Sequence, residues 1–101
     1  MDARQVIRIS KALGDATRFG LLQAIIASGE LSCGDLTDHF PIAQPTVSHH
    51  VKVLVEAGLV ASRKEGQHSY FSALPAALAE YREALGALGA PPPRRAALSR
   101  R

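Results

Sequence analysis

The segment Gln44–Leu59, QPTVSHHVKVLVEAGL, decides how the rest of the chain is read. Val47, Val51, Leu54 and Val55 recur at spacings of three and four, which places them on one stripe of a helix. Pro45 falls in the first turn, where its missing N–H has no partner to lose. Gly58 stands where a C′ residue ends such a helix. Between the apolar positions lie Gln44, Ser48, His49 and Lys52, hydrogen-bonding groups with little negative charge. A rigid helix buried on one side and carrying donors on the other suits a DNA major groove. An ordinary amphipathic surface helix has the same pattern, so the neighbouring segments decide.

Upstream, SCGDLTDHF has Ser32 followed three residues later by Asp35, a variant capping box opening a short helix. Pro41 closes it, and a brief connection leads into the Gln44 helix. Short helix, tight turn and longer polar-faced helix make a helix-turn-helix. Downstream the period changes to alternation. Residues 59–63 run out to a turn at Glu65-Gly66 and Ser69, Tyr70 and Phe71 return, a β-hairpin with Arg63, Lys64, Gln67 and His68 near its tip. A hairpin directly after a reading helix is a wing.

Two helices precede this unit. Residues 3–13 set Val6, Leu13 and either Ile7 or Ile9 against Arg4, Arg8 and Lys11, and Gly14 ends them. Asp15 then caps ATRFGLLQAIIAS, whose Phe19, Leu22, Ile25 and Ile26 are expected in a core, with Gly20 admitting a close neighbour. Glu30-Leu31 is an extended link. The last helix opens at Pro75, and Leu74, Leu78, Tyr81, Leu85 and Leu88 step by four and three along it. A small core has no need of so long a seam, so it is assigned to pairing with a second subunit, together with the first helix. Val6, Leu13, Leu78, Tyr81, Leu85 and Leu88 are the expected interface residues.

Composition narrows the function classes. The net charge is +3, but Arg94, Arg95, Arg100 and Arg101 lie beyond Pro93. Residues 1–90 hold eight basic and nine acidic groups, so any nucleic-acid contact rests on a local patch. Residues 1–90 are expected to form one DNA-binding and dimerisation domain and 91–101 a Pro/Arg-rich flexible tail. No apolar run reaches the roughly 20 residues of a membrane helix, and no signal peptide is evident, which implies a cytoplasmic protein. Neither a phosphate loop nor a nucleophile-and-base pattern is present, so an enzyme is not expected. The competing class is a winged helix that only binds other proteins.

The stretches KALGDATRFGLLQAI, ELSCGDL, QPTVSHHVKVLVEAGLV and SRKEGQHSYFSA, in that order, resemble the winged-helix repressors of the ArsR (arsenical-resistance regulator) type. The resemblance implies a mainly α winged helix-turn-helix protein, four helices, a hairpin and a final helix, dimerising through the first and last helices. It implies a homodimer on a palindromic promoter operator in double-stranded DNA, released by an inducer. On that pattern Gln44, Thr46, Ser48, His49 and Lys52 face DNA from the helix, and Arg63, Lys64, Gln67 and His68 from the wing. His50, beside Val47 and Val51 on the helix wheel, is expected to be partly buried and hydrogen-bonded.

The sensor segment departs from the family. Where the arsenic and cadmium sensors resemble ELCVCDL, this chain has ELSCGDL, with Ser32 and Gly34 at the two thiol positions and Cys33 between them. The paired-thiolate chelate is missing, and the inducer is left open. Asp35 and His39 share a helix face as half a metal site, although a surface pair needs no metal; the last helix offers only Glu80 and Glu83, and no metal or other cofactor is expected. Cys33 has three readings: a small core residue, a redox or electrophile switch near a helix start, or a ligand with unidentified partners.

Overall fold

A computed structural model describes residues 1–89 of the chain; the expected tail at 91–101 lies outside the described residues. The elements run α1 (Ala3–Leu13), α2 (Ala16–Ser28), β1 (Leu31–Ser32), α3 (Cys33–His39), α4 (Gln44–Glu56), β2 (Val60–Glu65), β3 (His68–Ala73) and α5 (Pro75–Leu88). This is the winged helix-turn-helix architecture, with one strand more than the hairpin alone. The link at Leu31-Ser32 pairs antiparallel with β3, Leu31 opposite Phe71 and Ser32 opposite Tyr70, giving a three-stranded sheet ordered β1-β3-β2.

Local chemistry sets the helix starts. Asp2 accepts from the Gln5 N–H at 2.9 Å while the Gln5 side chain accepts from the Asp2 N–H at 3.1 Å, a reciprocal box. Asp15 accepts from the Arg18 N–H at 3.0 Å. At α3 the Ser32 hydroxyl accepts from the Asp35 N–H and the Asp35 carboxylate accepts from the Ser32 N–H, each at 3.0 Å. That bond holds the Asp35 carboxyl below its ordinary value, and the Arg18 N–H does the same for Asp15. By contrast, α4 and α5 begin on a first-turn proline with no side-chain cap. α4 ends in a Schellman motif: Leu59 N–H donates to Leu54 C=O and Gly58 N–H to Val55 C=O, with Gly58 at φ +81°. β2 and β3 are joined by a two-residue turn whose first position, Gly66, also has positive φ.

The core lies where α2, α3 and α4 meet the sheet. Ile9, Leu21, Ile25, Leu36, Val47, Val51, Leu54, Leu59 and Val60 are fully buried in it. On α1 the choice falls on Ile9, while Ile7 is 54% exposed. α2 corrects the sequence reading: Phe19 and Ile26 are 47% and 50% exposed, and Leu21 is buried instead. The helix is apolar around most of its circumference, so spacing could not choose a face; packing selects the side carrying Leu21, Leu22 and Ile25. Gly20 admits the neighbour expected of it, because a Cβ there would stand 3.3 Å from the Phe40 ring. α5 rests on α1, where the Ser10 and Tyr81 hydroxyls lie 2.8 Å apart, and none of its residues is buried. No helix among the described residues is long and apolar enough to cross a membrane.

Candidate nucleic-acid interface

Burying Val47, Val51 and Leu54 turns the opposite face of α4 outward, and Gln44, Thr46, Ser48, His49 and Lys52 are all exposed there. The wing residues Arg63, Lys64, Gln67 and His68 are exposed as well. The structure brings part of this set together. Gln44, Ser48 and Lys52 share the wall of a cleft of about 570 Å³ with Gln67, His68 and Ser69, and Val51, Val55 and Phe71 add apolar surface. No carboxylate lines this cleft, so a polyanion meets hydroxyls, amides, Lys52 and His68. Thr46 and His49 are exposed on α4 outside the cleft lining.

Arg63 stands apart. Its Nε and Nη2 donate to the two Glu30 carboxylate oxygens at 3.2 and 2.8 Å, and its Nη1 donates to Glu65. Its guanidinium lies 4.6 Å from the centre of the Tyr70 ring, within cation–π range. The sequence reading set Arg63 beside Lys64 as an equal wing contact; the structure finds its donors already engaged by two carboxylates.

Cys33 is half-buried at the mouth of the cleft, with Sγ 3.6 Å from the Ser48 hydroxyl, and it packs on the edge of the core. Asp35 is committed to the α3 cap, and the His39 ring meets the Asp35 backbone carbonyl at 2.9 Å. Among the described residues no group of three or more His, Cys, Asp or Glu is placed to hold a metal ion.

Arg18 was not singled out from the sequence, yet it ties three helices together. From α2 it donates to the C-terminal carbonyls of α1, Ala12 at 2.8 Å and Lys11 at 3.3 Å, and it meets His50 Nδ1 on α4 at 3.2 Å. A guanidinium only donates, so Nδ1 accepts and the ring proton sits on Nε2. His50 is thus the half-buried, bonded histidine expected of it. A cation in the first turn of an otherwise apolar helix was the available signal.

The α1 and α5 faces expected to pair lie on another part of the surface. Leu13, Leu78, Tyr81 and Leu85 line one apolar groove with Pro75, Ala79 and Arg82. Val6 is half-buried, and Leu88 is 80% exposed.

Comparison with known proteins follows this geometry. Residues 13–63 match the family model of a helix-turn-helix domain. The arsenical resistance operon repressor of Staphylococcus aureus is 39% identical over 71 residues, 70% of this chain and 67% of the relative. An ArsR-like transcriptional regulator from Rhodococcus sp. RHA1 superposes with a TM-score of 0.77 at 27% identity, covering 85% of this chain and 80% of that one. A homodimeric winged helix-turn-helix DNA-binding domain from Mycobacterium bovis, solved in solution, shares the fold with a TM-score of 0.70 at 24% identity, covering 85% and 80%. The capped α3 and the exposed polar face of α4 fall within the matched residues 13–63, and the chain belongs to the ArsR family of winged helix-turn-helix transcriptional regulators.

Proposed function

We propose that the protein is a cytoplasmic homodimeric repressor that binds a palindromic operator in promoter DNA and releases it when an inducer arrives. The observation that carries this reading is the cleft in which Gln44, Ser48 and Lys52 of α4 converge with the wing and no carboxylate intervenes. Gln44 has the bidentate amide that reads an adenine edge; Thr46, Ser48 and His49 bond base edges or phosphates, and Lys52 neutralises phosphate. Lys64, Gln67 and His68 extend the contact from the wing. Residues 1–90 act as one DNA-binding and dimerisation domain, with α1 and α5 meeting their copies in the partner across Val6, Leu13, Leu78, Tyr81, Leu85 and Leu88. The M. bovis domain of the same fold is homodimeric, which supports pairing of two copies.

One cysteine per chain, flanked by Ser32 and Gly34, leaves α3 without the paired thiolates that hold an arsenical. The identity of the inducer is left open. Cys33 is the candidate switch residue, because an oxygen transferred to its sulfur from a peroxide, whose other oxygen leaves as water, would stand beside Ser48 on the reading face.

The test is fluorescence anisotropy on a duplex from upstream of the protein's own gene, with a scrambled duplex as control. Replacing both Gln44 and Ser48 by Ala should remove about 1–3 kcal/mol of preference between the duplexes. Binding to the scrambled duplex should hardly change. Unchanged affinity and preference in the double variant would reject α4 as the reading helix. No binding by the wild type at low or moderate salt would instead favour a protein-interaction module.

A further inference from the structure

Arg63 and Lys64 are adjacent cations, yet the hairpin separates them. Successive residues of a strand point to opposite faces, and cross-strand partners share a face. The register sets Arg63 opposite Tyr70, Lys64 opposite Ser69 and Ser62 opposite Phe71. Ser62, Ser69 and Phe71 line the cleft against α4, so Lys64 shares the face turned toward the reading helix. Arg63 lies on the other face, with Glu65, Tyr70 and His68, the last of which also reaches the cleft from its place beside the turn. There one guanidinium sits among two carboxylates, a local balance of −1 that repels phosphate. These are the only ion pairs among the described residues. The bond from Arg63 holds the Glu30 carboxyl below its ordinary value, and both carboxylates raise the guanidinium above its own.

We propose that Arg63 is a positioning residue that fastens the wing to the α2–β1 junction through Glu30, and that Lys64 is the wing's phosphate contact. The inference rests on the DNA-binding reading above. Exposed ion pairs add little to global stability, so the gain lies in fixing the direction of the hairpin relative to α4.

Salt dependence separates the two roles, because each phosphate contact contributes about 0.9 to the slope of log affinity against log salt. Anisotropy titrations of the full chain on the upstream duplex, at several salt concentrations, should show Lys64→Gln flattening the slope by about two for a dimer. Arg63→Gln should keep the wild-type slope and weaken binding by up to about fivefold per wing, or about 25-fold for a dimer, at every salt concentration, the range exposed pairs reach. Glu30→Gln should match it, and the double variant should be no weaker than either single one. Thermal melts establish that each variant is folded, and Glu30→Gln carries the test should Arg63→Gln fail to fold. A slope flattened by Arg63→Gln as much as by Lys64→Gln would overturn the proposal. So would tighter binding with a steeper slope in Glu30→Gln, which would mean that the released Arg63 reaches phosphate. A wild-type affinity indifferent to salt would reject the DNA reading itself, and this assignment with it.

Discussion

α4 and α5 are nearly equal in length, both open on a first-turn proline, and both carry an apolar stripe. They differ in how that stripe is used. α4 buries Val47, Val51 and Leu54 within its own domain and turns a polar face outward; α5 buries no residue fully, resting Ala77, Leu78 and Tyr81 against the core and leaving Leu85 and Leu88 exposed. The first helix is complete in water as a monomer. The second exposes apolar area whose burial is worth roughly 25 cal/mol per Å², which the proposed pairing with a second copy would cover. Helices of similar composition thus present different surfaces according to which face the core consumes.

The strongest challenge to this contrast is to charge α5. Leu78→Glu with Leu85→Glu should convert the dimer to a monomer in sedimentation equilibrium. DNA affinity should then fall by about a hundredfold or more, because two linked half-sites act with a high effective concentration. A variant that stays dimeric would place the subunit interface elsewhere. Next, Leu54→Ala should lose about 2–5 kcal/mol in urea denaturation, as a cavity opens in a fully buried site. Leu88→Ala, measured at concentrations that keep the protein monomeric, should change stability by no more than about 0.5 kcal/mol. Comparable losses in the two would mean that α5 is part of the monomer core.

A more modest effect than the core cavity concerns helix entry. α1, α2 and α3 start on side-chain caps, which α4 and α5 lack. Ser32→Ala should cost about 1 kcal/mol. Asp15, Asp35 and Glu30 have folded-state pKa values below their unfolded ones. Their contribution is therefore full above about pH 5 and is lost as pH falls below about 4 through the lowered values. Melting temperature should be flat from pH 7 to 5 and decline below 4, less steeply in Asp35→Asn. A decline beginning near pH 6 would show that these carboxylates do not set the acid limit.

Much of this was legible because separate local signals agreed. Ser32 with Asp35, Gly58 after a periodic run and Pro75 before a leucine seam each marked a boundary that the structure shares. What escaped was what a one-dimensional pattern does not contain. β1 has two residues, too few to alternate, and exists because β3 passes beside it. The orientation of α2 was undetermined because nearly every side of it is apolar. Arg18 makes its bonds to Lys11, Ala12 and His50, partners known only once three helices are docked. The separation of Arg63 from Lys64 was available from strand alternation, but the carboxylate of Glu30 was not, since it arrives from 33 positions away.

The brevity of β1 has a mechanical consequence. It pairs only with Tyr70 and Phe71, so it clamps the wing at its middle rungs, near the Arg63–Glu30 link. Past that point the Lys64–Ser69 and Glu65–His68 rungs and the turn run on with no third strand alongside. At about 3.3 Å per residue the overhang is roughly 10 Å. The wing is therefore a cantilever, built in at one end and compliant at the other. Its reach is set by the number of rungs beyond the clamp, so inserting or removing one residue pair there would alter how far the tip extends along a duplex while leaving the reading helix where it is.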